Sequence, residues 1–159
     1  MRGTLAARWA SRLLQTRWIV RAPITVYRLR LGWVFGSRLL MLQHRGRRSG
    51  KPRYVVLEVV DQPSPESWVV VAGFGARAQW LWNVREDSRV RVWFKGRAPR
   101  SALARELSAA DRADVLSSYA ARHPRSWHRL RPVLEETLEA PIDTDGTNLP
   151  MVALDSTVT

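Results

Sequence analysis

The stretch Gly46-Arg47-Arg48-Ser49-Gly50-Lys51-Pro52-Arg53 concentrates four basic side chains, a hydroxyl and two glycines in eight residues. Arginine forks, the Ser49 hydroxyl and the exposed N–H groups of such a turn suit phosphate or carboxylate, to which charge-assisted hydrogen bonds are the strong ones. A solvated basic hairpin turn has the same composition, so both readings stand at this level. A P-loop is excluded, because the spacing Gly-x4-Gly-Lys-Ser/Thr is absent and no parallel βαβ unit follows. A second feature, Gly73-Phe74-Gly75, closes an apolar run where the backbone can take positive φ or approach a ligand closely.

Few other residues offer chemistry. The chain has no cysteine, which removes disulfides, thiolate metal sites, iron–sulfur clusters and cysteine nucleophiles. Three histidines, His44, His123 and His128, do not make a metal set, and no metal site is expected. His44 reads either as a ligand at the edge of the basic turn or as a strand-end residue. His128 lies in an arginine-rich helical surface, and His123 beside Pro124 reads as an exposed helix end.

The formal charge of +12 is unevenly placed. Residues 1–57 hold 13 basic and no acidic side chains, and residues 58–159 hold 13 basic and 14 acidic, so the first part carries +13 and the rest −1. Such a patch calls for an anionic partner: a membrane surface, a nucleic acid or an anionic small molecule. A nucleic-acid module is disfavoured, since the tryptophans sit in apolar contexts and are not interleaved with cations on one strand face. No apolar run reaches the length of a membrane span. The start of the chain lacks the apolar core of a secretory signal, which points to the cytoplasm.

The elements that must position these residues are mostly strands. At 159 residues and 45% hydrophobic composition one globular domain is expected. Residues 4–20 read as a basic amphipathic helix on Leu5, Trp9 and Leu13, broken at Pro23. A second face, Ile24, Tyr27, Leu31 and Val34 or Phe35, suits a helix, although residues 26–31 also alternate as a strand. Residues 39–44 and 53–60 form a hairpin about the basic turn, 61–67 a loop, 68–72 a third strand and 80–86 a short helix. Strands follow at 89–94 and 98–107 around a turn at 95–97. Ser108 and Asp111 cap a helix over 109–122 with Val115 and Tyr119 toward the sheet, and Pro124 closes it. A helical stretch over 127–139 and a strand at 149–154 complete about six strands. The fold class is therefore α+β, mainly β, an antiparallel barrel or sheet with an amphipathic N-terminal helix and a helix inserted late.

Leu40-Met41-Leu42 followed by the Gly46 to Arg53 turn, the Gly-Phe-Gly loop, the run Trp80-Leu81-Trp82-Asn83 and the terminal Leu149-Pro150-Met151-Val152-Ala153-Leu154 resemble the deazaflavin-dependent nitroreductase family of actinobacteria. The resemblance covers about residues 24–154. It implies a split β-barrel that binds coenzyme F420, a deazaflavin bearing a phosphate and an oligoglutamate tail; FMN or haem in the same barrel, or a carrier without turnover, is the alternative. On this likeness Arg47, Arg48, Ser49, Gly50, Lys51 and Arg53 hold the anionic tail, Gly73, Phe74 and Gly75 lie along the ring, and Trp80, Trp82 and Asn83 add contacts. The chain departs from the family at Ala78-Gln79-Trp80-Leu81-Trp82, where Ser-Asp-Trp-Tyr is frequent.

The resemblance further implies an oxidoreductase transferring hydride to a quinone, nitro or enone acceptor. The cofactor carries the difficult chemistry, so no catalytic triad is needed. A proton must reach the reduced acceptor, from Tyr119, from His123 or from solvent, although the amphipathic spacing reads Tyr119 first as a core tyrosine. The expected organisation is a basic segment, 1–22, and one cofactor-binding split-barrel domain, 23–159. Trp9 and Trp18 among arginines fit an anionic membrane surface at the inner face of the cell membrane, or a packed terminal helix. A homodimer is the expectation from fold analogy.

Overall fold

The computed structural model describes residues 38–73, 75–142 and 148–157. The expectations for residues 1–37, and for Phe74, lie outside the described residues. Strands β1 (Leu39–Arg45), β2 (Pro52–Ser64), β3 (Ser67–Val71), β4 (Arg89–Phe94), β5 (Arg100–Glu106) and β6 (Met151–Ser156) are joined through helices α1 (Gln79–Glu86), α2 (Ala109–Arg122) and α3 (Pro124–Leu138). All neighbouring strands are antiparallel, and they close into a barrel in the order β1-β2-β3-β6-β5-β4. Closure comes from β4 returning to β1, with Leu40 opposite Phe94 and Gln43 opposite Arg91.

Alternation along each strand sorts side chains between two cores. Leu40, Leu42, Trp68, Val70, Val92, Val152 and Leu154 fill the barrel. The intervening Val69, Val71, Met151 and Ala153 point outward and are covered by Leu116 and Tyr119 of α2 and Leu134 of α3. Strands buried on both faces read as continuous apolar runs, which is why residues 68–72 and 149–154 stand out in the sequence. Each Val or Leu side chain so buried contributes about 1.5–3 kcal/mol, enough to hold the helical pair on the barrel wall. Trp80, Leu81 and Val84 of α1 join the inner core, so this short helix closes one end of the barrel. A bidentate pair from Arg85 to Glu106, at 2.7 and 2.8 Å, ties the outer side of α1 to β5.

The structure departs from the sequence reading in three places. The second helical stretch begins at Pro124 and not at residue 127, because the proline that follows the end of α2 also opens α3 at its first turn, where a missing N–H costs nothing. The stretch 61–67 is not wholly loop: β2 runs on to Ser64, with register shifts at Val59/Asp61 and Asp61/Ser64 that accommodate Pro63. The last strand starts at Met151 and not at residue 149. The α2 cap forms as expected, with Ser108 Oγ accepting from the Asp111 N–H at 3.1 Å.

Tyr119 pins α2 to the barrel by donating its hydroxyl to Glu58 Oε1 on β2 at 3.1 Å. Burial, with Glu58 adding to it, pushes the phenol up to about 12. Its contribution is therefore complete below pH 10 and declines from there to about 12, as the unfolded chain ionises first. Replacing Tyr119 by Phe should cost about 1 kcal/mol in urea unfolding at neutral pH. An unchanged midpoint would show that this bond does not hold the helix.

Candidate functional site

The turn between β1 and β2 is built to hold its cations apart. The Gly46 N–H donates to the Lys51 carbonyl at 2.9 Å and the Gly50 N–H to the Gly46 carbonyl at 2.7 Å. Gly50 sits at φ +65°, a conformation side chains resist, and a Cβ on Gly46 would stand 2.8 Å from Ser49 Oγ. The turn thus favours glycine at 50 through its backbone, whereas a side chain at 46 would require the Ser49 hydroxyl to swing aside. Arg47, Arg48, Ser49, Lys51 and Arg53 are left exposed around it.

Beneath the turn lies Asn83 of α1, only 6% exposed. Its Oδ1 accepts from the Arg47 backbone N–H at 3.1 Å and from Arg47 Nη1 at 3.0 Å. The other fork nitrogen, Arg47 Nη2, donates to Gln79 Oε1 at 3.0 Å. Gln79 and Asn83 are four apart and so present neighbouring amides to one guanidinium. On its other side Asn83 Nδ2 stands 3.1 Å from Nδ1 of the buried His44, at the end of β1. Strand, turn and helix are joined at a single side chain.

These elements wall a cavity of about 960 Å³. His44, Arg47, Arg48, Ser49 and Arg53 line one side, Ala78, Gln79, Trp80 and Asn83 another, and Glu136, Thr137 and Glu139 at the end of α3 a third. Arg77 also lines it and reaches Glu139 at 4.0 Å. Of the residues expected from the sequence, Arg47, Arg48, Ser49, Arg53, Trp80 and Asn83 come together here. Gly50 and Lys51 belong to the turn but do not line the cavity. Trp82 points elsewhere, with the Arg85 guanidinium 4.9 Å from its ring. Gly73 and Gly75 lie behind the α3 wall: a Cβ on Gly75, at φ +62°, would come within 2.7 Å of Leu138 Cδ2. Tyr119 is in the outer core and His123 is the exposed junction of α2 and α3, both away from the cavity. Sequence reasoning missed Arg77, Gln79, Glu136 and Glu139, whose place in the cavity depends on how α1 and α3 pack. Among the described residues no cluster of His, Asp and Glu could hold a metal.

Residues 20–130 match the family described as F420H(2)-dependent quinone reductase. The chain belongs to that family. It is an oxidoreductase whose cofactor is coenzyme F420. No curated protein is found to match the chain. Among solved structures, an F420-H2-dependent reductase (FDR-A) from Mycobacterium smegmatis superposes with TM-score 0.51 at 20% identity, over 74% of this chain and 94% of that one. A domain-swapped dimer gives TM-score 0.54 at 19% identity, over 89% of this chain and 99% of that one. An FMN-binding protein related to pyridoxamine 5'-phosphate oxidase, from Nostoc punctiforme, gives 0.53 at 15% identity over 86% and 80%. At these identities the likeness is one of fold, the split barrel.

The cavity suits this cofactor class. Four arginines against two glutamates leave it cationic, its size is that of a ligand site, and Trp80, Tyr54 and Val55 supply apolar surface. His44 is held neutral within it, since burial first and the Arg53 charge second push its imidazole down to about 4 from 6.5. Between those values the unfolded chain binds a proton that the folded chain refuses, so stability falls as pH drops from 6.5 toward 4 and levels off below. The loss attributable to His44 is on the order of 3 kcal/mol. Urea unfolding of the wild type and of His44→Asn, at neutral pH and near pH 5, should show a shallower pH slope in the variant. Parallel slopes would contradict the burial argument.

Proposed function

We propose that the enzyme holds the phosphate and glutamyl carboxylates of F420 on Arg47, Arg48, Ser49, Lys51 and Arg53, and that it reduces quinones. What carries this reading is the convergence of Arg47, Arg48, Arg53 and Arg77 on one cavity that Tyr54, Val55 and Trp80 also line. Arg47 is already oriented by Asn83 and Gln79, so little side-chain freedom is lost on binding. Trp80 is packed in the barrel core and only 7% exposed, so the half-buried Tyr54 and Val55 supply most of the apolar surface for the ring system. When bound in its reduced form, the deazaflavin supplies the hydride. The protein contributes position, a fixed field and partial exclusion of water. Neither Tyr119 nor His123 lines the cavity, which favours solvent as the source of the proton that completes the quinol. Quinone is preferred over nitro or enone acceptors because the family description names it.

Neutralising Arg47 and Arg48 together (Arg47→Ala with Arg48→Ala) should weaken F420 binding at least about tenfold in a fluorescence titration. The salt dependence of binding should flatten as well. A parallel titration with FMN, and turnover with quinone, nitro and enone acceptors, separates the alternatives. Unchanged F420 affinity in a folded double variant would remove the basis for the proposal.

The proposal extends to residues 1–22, whose five arginines, absence of acids and two tryptophans, Trp9 and Trp18, suit the anionic inner face of the cell membrane, where quinones partition. Among the described residues no helix is long and apolar enough to cross a membrane. The enzyme is then a cytoplasmic protein attached peripherally, and the homodimer expected by analogy has its support in the domain-swapped neighbour. Removing residues 1–22 should abolish co-sedimentation with anionic vesicles. Equal sedimentation of both forms would dispose of the membrane reading.

A further inference from the structure

The Asn83 amide has two ends alike in shape and opposite in hydrogen-bonding sense, and its surroundings admit one orientation. Toward the turn it meets only donors, the Arg47 N–H and the Arg47 guanidinium. Its oxygen must face them, and the nitrogen, which only donates, is left facing His44 Nδ1. For that contact to be a hydrogen bond His44 must be the neutral tautomer protonated at Nε2. Asn83 is 6% and His44 5% exposed, so solvent is poorly placed to substitute for either partner. The charged groups facing His44 are cations: Arg53, directly opposite on β2, and Arg47 beyond Asn83. Both oppose an imidazolium, and together with burial they outweigh a hydrogen bond with the Arg45 backbone that favours it, so the ring is neutral and the amide of α1 selects between its two tautomers.

We propose that His44 is a positioning residue of the cofactor cradle, in which its Nδ1 lone pair fixes the Asn83 amide and, through it, the Arg47 guanidinium. The proposal rests on reading the basic turn as the cradle. Without the lone pair, Asn83 Nδ2 is a buried donor with no acceptor. The amide can then relieve that penalty only by rotating, which turns its NH2 against the Arg47 donors. His44 itself makes no bond to Arg47; its effect travels through one amide.

Nitrogen NMR of the wild-type protein without cofactor should show His44 at neutral pH as the neutral Nε2–H tautomer. An Nδ1–H tautomer or an imidazolium overturns the proposal without reference to any ligand. In Asn83→Asp a carboxylate replaces the donor, so His44 should become protonated at neutral pH; a resonance that stays neutral also counts against the relay. For function, His44→Phe should weaken F420 binding about tenfold. His44→Asn, whose Oδ1 stands in for Nδ1, should recover most of that loss. Equal affinity of wild type and His44→Phe overturns the relay alone. Failure of the wild type to bind F420 overturns the cradle reading instead, and the tautomer still decides the relay. If His44→Phe does not fold, the NMR result on the wild type and on Asn83→Asp carries the decision.

Discussion

The site depends on the rule that a buried amide must have its hydrogen bonds made. Asn83 is out of water and has donors and acceptors to satisfy, and each unmet group would cost about 1–3 kcal/mol. Its two partners lie far back in the chain, His44 at 39 positions away and Arg47 at 36. Satisfying one side chain therefore fixes the end of β1, the basic turn and α1 relative to one another. A cluster of like charges would otherwise spread its side chains into solvent. Here one arginine is drawn down onto two amides and its backbone is held with it.

Barrel closure places those partners at the same end. Because β1 runs antiparallel to both β2 and β4, the β1–β2 turn lies opposite the end of the barrel where β4 finishes at Phe94. The helix α1 plugs that turn end with Trp80, Leu81 and Val84 while presenting Gln79 and Asn83 to the turn. Helices α2 and α3 have a different task. They cover the outer faces of β3 and β6, and only the last residues of α3 reach the cavity. Gly75 permits this approach, since Leu138 occupies the space where a Cβ would stand.

Local signals were legible and long-range ones were not. The strand 89–94, the helix 109–122 and its Ser108 cap follow from alternation, capping chemistry and turn residues, all of which act within a few positions. The run of β2 past Val60 was not legible, because bulges let a proline-containing segment keep pairing with β3. Pro124 marks the end of α2 as expected but also opens α3, three residues before the helical stretch read from the sequence begins, and Pro132 lies within that helix. At the site, the basic turn announces itself by composition, whereas Gln79, Glu136 and Glu139 look like ordinary exposed helix residues. Tyr119 shows the converse: its spacing marked it correctly as facing the sheet, and its hydroxyl is engaged by Glu58 within the wall.

The distribution of charge within the cavity also gives it a direction. Glu139 lies within ion-pair reach of Arg77, and both side chains are largely exposed, so their attraction is weak but still offsets part of the Arg77 field. Glu136 adds a second negative charge on the same α3 wall. Among the described residues the positive potential is therefore concentrated at the turn, on Arg47, Arg48 and Arg53. On the proposed reading, a ligand with an anionic tail and an apolar head would be sorted by this gradient, its tail toward the turn and away from Glu136 and Glu139. A reversed ligand would, on the same reading, set its carboxylates beside Glu136 and Glu139 and leave the arginines without counter-charges, so the residues proposed to hold the tail would also select its orientation.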